Sequence, residues 1–207
     1  MRSILCLPFL LLSLIAATAF AAPPAVETAG PPPEALAPAL RSELVPDGVR
    51  TGSLEVWLRS SPPLGEAREG LGIAFGRLAP GALAGVVRLT SDWTDYKGQR
   101  IAAGLYTLRY AIEPADGNHM GVSAYRDFFL LVPAADDPGP AAVPGPEDLY
   151  ALSTKASRTH HPATLALFPV DRVAKPAGAI NEAGQPTLAI PFGEMTLGIV
   201  VEGKGEA

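Results

Sequence analysis

Between Gly104 and Ile112 the chain reads GLYTLRYAI. Side chains of an extended chain point alternately to two sides. Leu105, Thr107, Arg109 and Ala111 therefore share one face, and Tyr106, Leu108, Tyr110 and Ile112 share the other. Val122 to Val132 supplies a partner, closing on the apolar run Phe128-Phe129-Leu130-Leu131-Val132. Between them sits the polar loop Asp116-Gly117-Asn118-His119. The stretch 101–133 thus predicts strand, loop, strand, and the rest of the chain is organised around it.

The same pattern recurs in short pieces. In Ser53–Arg59, Leu54, Val56 and Leu58 form a core face and Trp57 lies opposite. Leu71–Leu78, with two interior glycines, reads as a weaker strand, and Leu83–Thr90 as a stronger one. Trp93–Gln99 reads as a polar loop. Ala163–Phe168, Pro186–Pro191 and Met195–Val201 read as closing strands, with a loop over Val173–Pro186. Pro46-Asp47-Gly48, Pro80-Gly81 and Lys97-Gly98 mark turns. Proline cannot donate to a ladder, so Pro62-Pro63 ends the Trp57 strand. Pro133–Pro146 reads as a long surface loop or a crossing between sheets. Pro146, Glu147 and Asp148 suit the free N–H groups and dipole of a helix start, which predicts one short helix over Glu147–Ala156. Eight or nine short strands in succession, with no fixed repeat, predict an all-β protein, an antiparallel β-sandwich with one short helix.

Composition adds the compartment. Met1-Arg2, the apolar run Ile4–Phe20 and the small-x-small site Ala19-Phe20-Ala21 read as a signal peptide over 1–21. Pro8, Ser13 and Thr18 interrupt the run and argue against a retained anchor, so no membrane span is expected after cleavage. Cys6 lies too near the start for a lipoprotein site, and its loss would leave a mature chain without cysteine. An exported protein, periplasmic or extracellular, is expected. Residues 22–43, APPAVETAGPPPEALAPALRSE, read as a Pro/Ala-rich flexible tether. One domain is expected over 44–201, with a frayed tail over 202–207. The formal net charge is −5, and no run of Lys or Arg occurs. Nucleic acid and anionic membrane surfaces both need clustered positive charge, so neither is an expected partner.

The segments DYKGQRIAAGLYTL (95–108), GNHMGVS (117–123), YRDF (125–128) and HPA (161–163) resemble a family of uncharacterised exported bacterial β-sandwich proteins. The likeness runs from Ser53 to about Phe168. It implies export and a β-sandwich fold, and brings no activity or catalytic residue with it.

Candidate chemistry gathers in two loops. His119, His161 and a carboxylate from Asp116 or Asp127 would make an imidazole and carboxylate set of the kind zinc and similar metals take, if folding joined the loops. The competing reading is an Asx turn at Asp116-Gly117-Asn118, with His119 bonded to loop backbone. Arg126 and Asp127 form either an ordinary strand-end ion pair or, with His119, a polar cluster at a ligand pocket. Trp93 and Trp57 are candidates for an aromatic sugar platform. No serine sits in a G-x-S-x-G elbow, and no glycine-rich phosphate loop precedes a helix. The expected function is a non-catalytic binding or accessory module of the cell envelope, without a cofactor. Its partner would be a small molecule, glycan or envelope protein, with His119, Arg126, Asp127, His161 and Trp93 as ligand-binding candidates. The alternative is a metal-binding protein or metal-dependent enzyme using His119, His161 and Asp116.

Overall fold

The computed structural model describes residues 21–114, 125–143 and 145–202. The leader up to residue 20 and the loop carrying Asp116 and His119 lie outside the described residues. The strands are β1 (Glu27–Gly30), β2 (Gly48–Thr51), β3 (Leu54–Leu58), β4 (Leu83–Leu89), β5 (Trp93–Thr94), β6 (Arg100–Ile101), β7 (Gly104–Ile112), β8 (Asp127–Pro133), β9 (Thr164–Pro169), β10 (Ala177–Ile180), β11 (Pro186–Phe192) and β12 (Met195–Val200). Two helices interrupt them, α1 (Pro38–Arg41) and α2 (Pro146–Ser157). Pro146 opens α2, Glu147 and Asp148 fill its first turn, and Arg158 ends it in the left-handed conformation at φ 57°.

Ten strands form one antiparallel sheet in the order β1-β2-β3-β4-β7-β8-β9-β12-β11-β10, and β5-β6 form a separate pair. The expected β-sandwich is thus met in its mostly antiparallel β character, but the sheet is continuous and curls into a half-barrel. The two parts of the sheet are joined through β9. Phe128, Phe129 and Leu130 of β8 pair with Ala166, Leu165 and Thr164. The other end of β9, Leu167–Pro169, pairs with β12.

The predicted hairpin stands at the centre. β7 pairs with β8 from Tyr106↔Pro133 to Ile112↔Asp127, and with β4 on its other side. Its two faces separate as the alternation requires. Tyr106, Leu108 and Tyr110 enter the main core with Leu54, Val56, Leu58, Phe129 and Leu131, where they meet Leu188, Ile190, Leu197 and Ile199 from the far half. Ala111 packs on the opposite face with Leu130, Val132 and Leu149, beneath α2. Both faces of the central strands are therefore covered.

Residues 22–43 are not a tether. They supply β1 and α1, and Leu36, Leu40 and Leu44 are 3%, 1% and 6% exposed. These leucines cover Trp57, Leu83 and Val86, the outward face of β3 and β4. The segment just before β1 lies over β10, because a Cβ added at Gly178 would fall 2.0 Å from the Pro24 carbonyl oxygen. Glycine is needed there for that close approach. Trp57 is likewise held by a neighbour without a side chain, since a Cβ at Gly48 would lie 2.4 Å from its Nε1.

Three further expectations change. Leu71–Leu78 forms turns, with an isolated bridge from Leu64 to Leu78 in place of a strand, and Leu71 is 93% exposed. Gly72 takes φ 74°, outside the extended range of regular strand residues. The loop expected over Val173–Pro186 carries β10, paired with β11 from Ala177↔Ala189 to Ile180↔Pro186. The polar loop over Trp93–Gln99 begins with β5, and Asp92 fastens the β5-β6 hairpin. Asp92 accepts the Ala103 N–H at 2.9 Å and the Arg100 Nε–H at 2.9 Å. The backbone bond first, and Arg100 second, hold its carboxyl below the ordinary value of 3.8. A depressed folded-state pKa gives stability that is present above the unfolded value and lost as pH falls through the folded one. Asp92→Asn should therefore flatten the acid limb of stability below about pH 3.8, measured by urea unfolding at stepped pH. An unchanged acid limb would contradict this role.

Candidate functional site

The residues expected to bind a ligand are largely committed to the fold. Asp127 opens β8 at 1% exposure and accepts the N–H groups of Ala74 at 2.7 Å and Phe75 at 3.1 Å, together with the Tyr110 hydroxyl. Burial raises the Tyr110 pKa, and the bond to Asp127 and its negative charge raise it further. Asp127 is therefore the anchor of the turn-rich segment that replaces the expected Leu71–Leu78 strand. Asp127→Asn turns one acceptor into a donor facing a donor. The expected loss is about 1–3 kcal/mol of stability, the cost of a buried unpaired group. Urea unfolding checks it, and a loss below about 0.5 kcal/mol, the scale of a neutral surface change, would contradict the anchor.

Arg126 does not pair with Asp127. Its Nε–H and Nη2–H donate to the Glu113 carbonyl oxygen at 2.8 and 2.5 Å, and its backbone N–H donates to Gly72 O at 2.7 Å. Trp93 is no sugar platform. It is 8% exposed in the main core, and its Nε1–H donates to Val201 O at 2.9 Å. Trp57 is fully buried and donates to Gly30 O at 2.8 Å. His161 is exposed, and its backbone organises the turn after α2: Ser157 Oγ–H donates to its carbonyl oxygen at 2.6 Å. His119 and Asp116 lie outside the described residues. Among the described residues no group of three or more His, Cys, Asp or Glu could hold a metal ion.

Three buried charges, Arg109, Asp137 and Asp95, were not singled out from the sequence. Arg109, on the outward face of β7, is paired with Asp137, and both side chains are 0% exposed. Its Nε–H donates to Asp137 Oδ2 at 2.9 Å and its Nη2–H to Oδ1 at 2.6 Å. Nη1 donates to the carbonyl oxygens of Gly81 at 3.0 Å and Ala141 at 2.7 Å, and Nη2 also donates to that of Gly139. One guanidinium thus ties the proline-rich loop after β8 to the sheet. The available signal was its place, a charge in the middle of a long apolar strand. Asp95, fully buried after β5, accepts N–H groups from Lys97, Gln99 and Thr164 and the Gln99 amide. Burial raises its pKa, and the bonds from Gln99, Thr164 and Lys97 pull the other way. It joins the β5-β6 hairpin to the start of β9.

An open cleft of about 250 Å³ remains where β2 and β3 face β11, at the mouth of the half-barrel. Val56, Leu58 and Ile190 of the main core form its floor. Val45, Val49, Pro176 and Pro191 wall it, and its polar border is Asp47, Arg59 and Ser60. Arg59 pairs through Nη2 with Glu43, and its side chain is 23% exposed. Its Nε–H is buried and has no hydrogen-bond partner among the described residues. A buried donor without an acceptor costs about 1–3 kcal/mol, so such groups are uncommon and call for a reason. A second cleft, about 240 Å³, opens beside α2, but the Tyr110 hydroxyl on its wall is already bonded to Asp127. A third, about 330 Å³, is bordered by Arg100, which is paired with Asp92, and by Arg158. The mouth cleft is thus distinguished by its aliphatic floor. No protein-family model, curated protein or solved structure matches this chain.

Proposed function

We propose that this protein is an exported, non-catalytic binding module of the cell envelope, and that its ligand site is the cleft at the mouth of the curled sheet. The leader over 1–21 supports export to the periplasm or the exterior. The finer reading of the fold is a sandwich-like body, its two halves pressed on a shared core. One observation carries the binding site: a concave cleft floored by the aliphatic side chains of Val56, Leu58 and Ile190 opens between β3 and β11. Small-ligand sites are typically concave and mostly apolar, with a few placed polar groups, and barrel mouths are among their usual positions. Of the expected partners, a small molecule fits this cleft better than a glycan chain, because both tryptophans that would stack on sugar are buried.

The test is a ligand-observed NMR screen of small neutral amphiphiles against the purified protein, run beside assays for ester and glycoside turnover. Saturable binding without turnover is the expected result. Turnover of either substrate class, or no binding by any amphiphile, would overturn this reading. Among the described residues no helix is long and apolar enough to cross a membrane.

A further inference from the structure

We infer that the outer face of the sheet carries a second binding site, apart from the mouth cleft, which takes one neutral sugar ring at Lys97, Glu113 and Thr164. These residues line a shallow depression together with the half-buried rings of Tyr96, Tyr125 and Phe128. The Glu113 side chain is 9% exposed. Among the described residues its one ion pair is with Lys97 Nζ at 3.8 Å, beyond hydrogen-bond distance, and no donor bonds its oxygens. Thr164 is 4% exposed, and among the described residues its hydroxyl also has no hydrogen bond. The side-chain atoms there that are both fully enclosed and unpaired belong to Arg59 and Gln185 alone. The Glu113 oxygens and the Thr164 hydroxyl therefore reach the surface. Polar groups so nearly buried and still unpaired call for a partner.

These groups are fixed before a ligand arrives. The Glu113 N–H donates to Arg126 O at 2.8 Å, and the Glu113 carbonyl oxygen accepts the Arg126 guanidinium. Lys97 sits in the turn built on Asp95, to which its N–H donates at 3.0 Å. The Tyr125 ring is held edge-on against Phe168, with centroids 5.1 Å apart. Holding the contact groups in place lowers the ordering cost of binding.

Charge decides against an ionic ligand. A ligand ammonium bonded to Glu113 would lie almost as close to the Lys97 ammonium, and a ligand carboxylate bonded to Lys97 almost as close to Glu113. The Coulomb gain and loss nearly cancel, while the ion still gives up its water. A hydroxyl avoids this conflict, because it donates to Glu113 and accepts from Lys97 at once. Thr164 offers a place for another. Aromatic faces are negative and attract C–H groups. A ligand with several hydroxyls on its rim and C–H groups on its face meets both demands, and a pyranose ring is such a ligand. The depression encloses only about 20 Å³, so the ring lies across it with its far side in solvent. A free sugar and one residue of a glycan chain present the same chemistry to it.

Amide-resolved NMR titration of the purified protein with the methyl glycosides of glucose, galactose and mannose tests this. At least one should bind saturably, with shifts centred on Tyr96, Lys97, Glu113 and Thr164. Glucuronate and glucosamine, charged forms of the same kind of ring, should bind no tighter than that glycoside. Glu113→Gln keeps the shape and removes the charge, and should weaken the binding about tenfold, the worth of roughly one hydrogen bond to a charged group. The matching tetrasaccharide (cellotetraose, galactotetraose or mannotetraose) separates the two sources. Tighter binding than the glycoside marks a glycan chain, and equal or weaker binding a lone ring. No binding by any glycoside, shifts centred elsewhere, tighter binding of either charged sugar, or unchanged affinity in a folded Glu113→Gln protein would overturn the sugar site. None of these results bears on the mouth cleft.

Discussion

Arg109→Leu should lower the unfolding free energy by about 3–5 kcal/mol, the usual cost of removing one partner of a buried ion pair. The Asp137 carboxylate would remain in a site where its side chain is 0% exposed. Among the described residues it would keep only the Thr107 hydroxyl and the Gly139 N–H, the latter at 2.9 Å, as donors. The carbonyl oxygens of Gly81, Gly139 and Ala141 would lose Arg109 as their donor at the same time. A double variant, Arg109→Leu with Asp137→Ala, should recover only part of the loss. It removes the stranded carboxylate, but the Gly139 and Ala141 carbonyls still lose Arg109, while Gly81 O keeps the Val143 N–H. Urea unfolding of the three proteins gives all the free energies needed. A loss below about 1 kcal/mol for the single variant, typical of an exposed pair, would show that the pair is not buried as described.

Leu40→Ala should cost about 2–5 kcal/mol, the range for truncating a fully buried leucine. Leu40 is 1% exposed and packs with Leu36, Leu44 and Trp57 on the outward face of β3 and β4. A flexible tether would predict almost nothing, about 0.5 kcal/mol or less, as for an ordinary surface position. The variant therefore decides whether the N-terminal arm belongs to the fold. Trp57 provides a second readout. Its fluorescence should shift to longer wavelength in Leu40→Ala if the arm loosens over it, and an unshifted spectrum with unchanged stability would contradict the packing.

The central hairpin was legible because strand alternation is a short-range signal. Tyr106, Leu108 and Tyr110 share a face whatever the rest of the chain does. The α2 start was legible for the same reason, since Pro146, Glu147 and Asp148 act within one turn. The arm was misread because its proline and alanine content outweighed a weaker pattern, Leu36, Leu40 and Leu44 at intervals of four. The candidate site was the least legible part. Trp93 and Asp127 looked available because a sequence does not show that Val201, 108 positions away, or Ala74, 53 positions away, will bond to them. The mouth cleft is harder still. Val49, Leu58 and Ile190 meet there only because the continuous sheet curls, and that curvature has no local sequence signature.

Methyl-resolved NMR of the isoleucine-, leucine- and valine-labelled protein, titrated with a small neutral amphiphile, tests binding at the mouth of the half-barrel most directly. Saturable shifts with one common affinity should centre on Val49, Val56, Leu58 and Ile190, which line the cleft from both halves of the sheet, while Leu149 beside α2 stays still. Shifts centred on Leu149, or scattered over the surface without saturation, would contradict it.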